Sequence, residues 1–486
     1  MSLLAELDPV PVWTFFEEIC KIPRLSKNEE KIRKYLIGFA KKHNLESKED
    51  SVGNILIVRP ASPGIENRKT VVLQSHMDMV GEKNSDYHHN WSSDPIKPVI
   101  EGEWVTAKVT TLGADDGIGI AAQLAILADK TLKAGRIEAL FTVDEETGMT
   151  GATNLNPGFF TGRILLNLDS EDEGILFIGC AGGMDTVGTL KYDPVKVSRE
   201  LSAFEISISG LHGGHSGDEI HKGYANAIKL MNRLLRTLSN QFEISLSRFD
   251  GGNLRNAIPR EAFAEILFDE SLADQIRRTV DNIQTDMSAE FGVVEKEMKI
   301  TIKVVARPSL SLDMQTQTRL LDAITCCPHG VIAWSAEMED LVETSTNLAS
   351  IRFSDNNTIK IVTTQRSSLA SAKADAAATV ASCLKLAGAG VAHSDGYPGW
   401  KPSLRSEILR ITRESYTRLF GKEPMVRAIH AGLECGLIYE KFEGIDMISF
   451  GPTIRGAHTP EEKIEIKTVQ MFWDLLTDVL MNIPEA

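Results

Sequence analysis

The sequence predicts an α/β protein: a mostly parallel sheet with helices on both faces, interrupted by an inserted α+β segment. Three observations carry this reading. Strand and helix patterns alternate up to about Gly179, the rhythm of strands joined by crossover helices. The middle of the chain instead pairs alternating apolar and polar strands with amphipathic helices, as in an antiparallel sheet covered on one side. Metal-type side chains also stand at strand ends both before residue 180 and after residue 450. If those flanks share one site, the middle is an insertion. The expected domains are 1–183 with 398–486, and 184–397 between them.

At 486 residues the chain is too long for one ordinary core. Hydrophobic residues at 42% and charged residues at 24% are globular values, and a net charge of −15 argues against a nucleic-acid or anionic-membrane surface. The six cysteines include the adjacent Cys326 and Cys327 and no Cys-x-x-Cys pair, a poor disulfide framework. The N-terminus lacks the pattern of a secretory signal, and no apolar run reaches the ~18–20 residues of a membrane span. A cytoplasmic protein with reduced thiols is expected.

Val12 to Cys20 has helical apolar spacing. Ser26 with Glu29 three positions on reads as a capping box opening a second helix that runs to about Lys42. Asn54 to Val58 reads as a strand and Ala61-Ser62-Pro63-Gly64 as a turn. The apolar run from Val71 then ends in His76-Met77-Asp78. Side chains alternate along a strand, so His76 and Asp78 share a face, and a carboxylate so placed suits the orientation of a metal-bound imidazole.

Thr110 to Gly119 turns into an apolar helix, Ile118 to Ala128. Two aspartates, Asp115 and Asp116, stand where a dinucleotide-binding turn would need to receive a pyrophosphate, which excludes that reading. Either aspartate can cap the helix or face a site. The strand Ile137 to Val143 is followed at once by Asp144, Glu145 and Glu146, which raise one another's pKa unless a cation offsets them. Ile164 to Leu168 ends in Asp169. Near the C-terminus, Met447 to Phe450 is a strand and Gly456-Ala457-His458-Thr459-Pro460 leads to a closing helix. Thr459 is its expected N-cap, Pro460 its first residue and Glu461 and Glu462 its first turn.

The middle segment has strands at Phe204 to Ile208 and Lys299 to Lys303. Helices are expected at Tyr224 to Leu238, Leu272 to Glu290, Thr316 to Ile324 and Ser371 to Ala387. His212, His215, Asn256 and Arg366 are its notable polar groups, and spacing alone gives them only surface or loop chemistry.

Taking His76, Asp115, Glu146, Asp169 and His458 as ligands, mixed imidazole and carboxylate donors suit Zn²⁺, with Mn²⁺ or Co²⁺ as substitutes. Three carboxylates are balanced by two divalent ions and one bridging hydroxide, and two metals about 3.5–4 Å apart fit that count. Glu145, left unligated beside Glu146, is the candidate general base. The implied chemistry is hydrolysis of an amide.

His76-Met77-Asp78, Gly113-Ala114-Asp115-Asp116, Asp144-Glu145-Glu146-Thr147-Gly148, Asn167-Leu168-Asp169 and Gly456-Ala457-His458-Thr459 occur in the order seen in a zinc peptidase family. It is the aminopeptidase/carboxypeptidase family that includes aminoacylase, carnosinase and carboxypeptidase G. The chain resembles that family over nearly its whole length, and most of all its dipeptidase branch. The resemblance implies that Asp115 bridges two zinc ions, one completed by His76 and Asp169, the other by Glu146 and His458. It implies that Asp78 orients His76, that Glu145 is the base, and that the insert is a lid/dimerisation-type domain, which would allow a homodimer. His215 would donate to the scissile carbonyl, Asn256 and Arg366 would hold a substrate carboxylate, and backbone near Gly432 would line the pocket. The expected substrates are dipeptides, Xaa-His (carnosine-type) included. Two alternatives stay open: an N-acyl-amino-acid deacylase or carboxypeptidase on the same core, and a non-catalytic metal-stabilised binding protein.

Overall fold

The computed structural model describes residues 3–486 and divides into two compact units. The first comprises the chain up to Cys180 with Trp400–Ala428 and Leu433–Ala486; the second comprises Ala181–Gly399 with Ile429–Gly432. The insert expected from the sequence, 184–397, lacks the separate four-residue segment Ile429–Gly432, which takes Gly432 out of the flanking sheet domain. Backbone pairing explains this: the Ala181 N–H donates to the carbonyls of Ile429 and Ala431, both at 3.0 Å.

The first unit is built on an eight-stranded sheet in the order Glu46–Glu49, Ile55–Arg59, Ile137–Thr142, Val71–His76, Ile164–Asn167, Asp446–Ser449, Ile175–Cys180, Met425–Ile429. The four central strands, from Ile137–Thr142 to Asp446–Ser449, run parallel. The first two strands and Ile175–Cys180 pair antiparallel. Every residue of Val71–His76, Ile137–Thr142 and Ile164–Asn167 is buried, as expected of central strands covered on both faces. Because His76 registers with Thr142 and Gln74 with Asn167, the residues that follow these strands emerge at one edge, where ligands of parallel sheets bind.

Two local expectations are corrected. The helix expected from Ser26 is Glu30–Lys42, and the capping box is not formed. Ser26 Oγ instead donates to Asp78 Oδ2 at 2.8 Å, and Glu29 Oε1 accepts the backbone N–H groups of Lys27 and Asp144. The closing helix is Ile466–Met481, not a helix begun at Pro460. Residues 456–462 form turns, followed by the short strand Lys463–Glu465 paired with Trp104–Thr106. Glu462 is drawn away from a helix first turn by backbone N–H groups of residues 112–114.

In the second unit all described strand pairings are antiparallel. The sheet runs Lys299–Val304, Leu201–Ser209, Ala262–Asp269, Ser245–Gly251, Val342–Ser354, Thr358–Ser367, Gly182–Lys191, Gly390–His393, with Gly330–Trp334 added on Val342–Ser354. The expected helices are Ala227–Gln241, Ala273–Phe291, Met314–Cys326 and Ala370–Leu386. Strand alternation is plain at Ala262, Phe263 and Ala264, of which only Phe263 is exposed. The buried set joins Ile206, Ile208 and Ile266 of the sheet to Leu234, Val280 and Leu320 of the helices. Among the described residues no helix is long and apolar enough to cross a membrane, and all six cysteines are free thiols.

Candidate metal centre

Five side chains from three strand ends, one helix entry and one C-terminal turn converge in the first unit. His76 ends its strand; Asp115 lies in the entry to Ala114–Ala128; Glu146 follows Ile137–Thr142; Asp169 follows Ile164–Asn167. His458 projects from a turn in which it and Gly456 have φ of +64° and +68°. His76 Nε2 lies 2.9 Å from Asp115 Oδ1 and 3.3 Å from Asp169 Oδ1. His458 Nε2 lies 3.2 Å from Asp115 Oδ2 and 2.9 Å from Glu146 Oε2. Each oxygen of Asp115 thus faces a different imidazole. His76, Asp115 and Asp169 form one group able to hold a metal ion, and Asp115, Glu146 and His458 another.

The neighbouring Asp116 has the other fate open to an aspartate at a helix start. Its Oδ1 accepts the Gly119 N–H at 3.1 Å and its Oδ2 the His76 N–H at 3.3 Å. A Cβ at Gly119 would lie 2.3 Å from Asp116 Oδ1, so the tight cap requires glycine there. Capping and ligation are divided between two adjacent residues.

Asp78 Oδ1 lies 3.5 Å from His76 Nδ1, while its two oxygens accept the backbone N–H groups of Glu145 and Glu146. Glu145 groups with His76 and Glu146 but belongs to neither group that contains Asp115. Gln74, Asn167 and Glu434, to which the sequence assigned no role, form a buried chain beside them. Asn167 donates to Gln74 Oε1 at 2.6 Å, and Gln74 donates to Glu434 Oε2 at 2.8 Å. Only their burial reveals them: Gln74 and Asn167 are amides within mostly apolar strands and Glu434 opens the helix Glu434–Lys441, and none of these gives a local signal.

Electrostatically the cluster is crowded with acid. Burial pushes Asp169 up to about 7, Glu434 up to about 7, and Glu145 well above the usual carboxylate range. Hydrogen bonding to Asp115 and Glu146 draws His458 up to about 11. For His76, burial acts downward, but the carboxylates of Asp169, Asp115 and Asp78 prevail and hold it well above its ordinary value. Two buried atoms, His76 Nδ1 and Glu146 Oε1, lack a hydrogen-bond partner. Converging imidazole and carboxylate donors with surplus acid fit divalent cations.

The remaining residues singled out in the sequence lie in the second unit. Ser216 N donates to Asn256 O at 2.8 Å, which brings the His215 and Asn256 loops side by side, and Asn256 is exposed. His215 Nδ1 lies 3.2 Å from Asp218 Oδ2. Arg366 is buried and donates to the Tyr397 hydroxyl at 2.9 Å, while its Nε has no partner. Gly432 packs against the Tyr397 ring. His212 is stacked on Tyr224, a packing role.

Comparison with known proteins agrees with the motif resemblance. The chain is 43% identical over 484 residues to cytosol non-specific dipeptidase of Escherichia coli (strain K12), with 100% of each covered. The crystal structure of aminoacylhistidine dipeptidase from Vibrio alginolyticus matches with TM-score 0.93 and 43% identity, covering 99% of this chain and 98% of that one. A tripeptidase from Staphylococcus aureus shares the fold at TM-score 0.56 and 16% identity, covering 98% and 99%. Residues 72–482 match the model of peptidase family M20/M25/M40. The chain belongs to that peptidase family and is a hydrolase acting on peptide bonds.

Proposed function

We propose that this chain is a metal-dependent dipeptidase of broad specificity, cleaving the single peptide bond of dipeptides with a free carboxylate, Xaa-His substrates among them. The observation that carries it is Asp115 standing between His76 and His458, one oxygen toward each. The dipeptide choice is supported by 43% identity over the full length to a relative named as a dipeptidase. That relative's name also supports a cytosolic location.

Two divalent ions, zinc foremost, would be held by His76, Asp115 and Asp169 and by Asp115, Glu146 and His458. Bound there they would supply Lewis-acid polarisation of the carbonyl and a more acidic water. Glu145, outside both ligand groups, takes the proton of the attacking water and delivers it to the leaving amine. Asp78 keeps the His76 ring in place. Of the second-unit residues, His215 has Nδ1 occupied by Asp218 and offers Nε2 to the scissile carbonyl. Arg366, with Asn256, holds the substrate carboxylate, a task suited to a guanidinium fork. Backbone at Gly432 lines the pocket.

The test compares Ala-His with N-acetyl-His on zinc-loaded protein of measured metal content. Rapid hydrolysis of Ala-His alone supports the proposal. Equal hydrolysis of N-acetyl-His would make the chain a deacylase on the same core, and cleavage of neither, with metal bound, would leave a binding protein.

A further inference from the structure

The segment that bears Asp115 is gripped from both sides by buried opposite charges. Glu462 is 2% exposed. Its Oε2 accepts the backbone N–H groups of Leu112 and Gly113 at 2.8 and 2.9 Å. Its Oε1 accepts that of Ala114 at 2.7 Å, with the Asp115 N–H at 3.4 Å. From the other side the buried Arg24 guanidinium donates to the Gly113 carbonyl, and also to those of Met77 and Asp78 at 3.0 and 2.6 Å.

An anion on consecutive N–H groups and a cation on the carbonyls are both charge-assisted arrangements, stronger than neutral hydrogen bonds. Gly113, at φ +70°, makes the double grip sterically feasible. A Cβ there would lie 2.7 Å from Arg24 Nη2 and 2.9 Å from Met79. The backbone of Glu462 is itself fixed, its carbonyl accepting from Thr106 Oγ1 at 3.0 Å.

The two charged residues reach different ligand segments. Glu462 lies four positions beyond His458, and Arg24 binds the two residues directly after His76. Together they join the segments that supply His76, Asp115 and His458. We propose that Glu462, with Arg24 as its counterpart, is a positioning residue that holds Asp115 between the two histidines and so sets how tightly the site retains divalent metal. This rests on the ligand assignment proposed above.

The test is to challenge zinc-loaded protein with a graded chelator, reading bound zinc, activity and Tm separately. Glu462→Gln keeps the shape but leaves an amide N–H₂ against backbone N–H groups. Loss of such an outer partner typically weakens metal binding about 10–100-fold. Half the zinc should therefore leave at about 10–100-fold lower free chelator, and excess Zn²⁺ should restore kcat to within a few-fold of wild type. Arg24→Lys should shift the same curve in the same direction, and the exposed Glu461→Gln should leave it unmoved. If Glu462→Gln does not fold, amide exchange of wild type decides. The proposal requires strong protection of the peptide covering residues 112–114 even after zinc removal. Zinc retention within twofold of wild type, or fast exchange at residues 112–114, overturns it. Failure of wild type to bind zinc at all would instead overturn the ligand assignment.

Discussion

The carboxylate of Asp78 accepts the backbone N–H of Glu145 at 3.0 Å. The group proposed to orient His76 therefore also fixes the residue proposed as base. Burial alone would raise the Asp78 pKa, but contact with His76, the Glu145 N–H and the Ser26 hydroxyl outweighs it and lowers the group to about 2. Asp78→Asn should lower both metal retention and kcat, each by roughly 10–100-fold. Metal analysis beside steady-state kinetics checks it; a loss confined to metal retention would deny Asp78 its part in fixing Glu145.

Glu145→Gln removes the proton acceptor while keeping volume. With zinc content unchanged, kcat on Ala-His should fall by about 10²–10⁴-fold, the usual contribution of a positioned acid–base group. A variant within tenfold of wild type would remove the assignment.

The Arg366 side chain is set by a tyrosine held between two glycines. A Cβ on Gly432 would lie 2.6 Å from Tyr397 Cε2, and one on Gly183 would lie 2.6 Å from the Tyr397 hydroxyl. Tyr397→Phe deletes a hydrogen bond to a charged group, worth about 1.5–3 kcal/mol. KM for a dipeptide should rise about tenfold or more with kcat nearly constant, the signature of lost uniform binding. Gly432→Ala should act in the same direction by displacing the ring. A fall in kcat at unchanged KM would contradict the carboxylate-binding role of Arg366.

Stability in acid should report on His430. Its Nε2 lies 2.7 Å from Ser345 Oγ, and burial, aided by the charge of Arg366, lowers its pKa to about 3. The unfolded chain binds this proton near pH 6.5, so the contribution is complete above that value. It is lost as pH falls toward about 3, at up to about 1.4 kcal/mol per pH unit. His430→Gln should flatten the acid limb of the urea-midpoint profile between pH 6 and 4; parallel wild-type and variant profiles would refute this.

The parts legible in the sequence were those written locally. The runs ending at His76, Thr142 and Asn167 are mostly apolar, fully buried strands, so the side chains after them had to emerge at a sheet edge. What misled were short-range signals recruited by distant partners. Ser26 and Glu29 spell a capping box, yet both serve the loops of Asp78 and Asp144. Thr459-Pro460-Glu461-Glu462 spells a helix start, yet Glu462 answers N–H groups about 350 positions earlier. A buried unpaired N–H is costlier than a lost cap, so the remote demand prevails. No sequence window contains that demand. The same holds for Ile429–Gly432, claimed by the second unit through backbone pairing with Ala181.

The position of the Asp446–Ser449 strand has a consequence for biosynthesis. It lies between Ile164–Asn167 and Ile175–Cys180, alongside segments made far earlier on the ribosome. At about 5–20 residues per second, the nascent chain must keep the apolar Ile164–Asn167 edge unpaired for on the order of tens of seconds. Open edges of that kind invite pairing with other chains. Messages truncated before codon 446 should therefore yield aggregates rather than a smaller working protein.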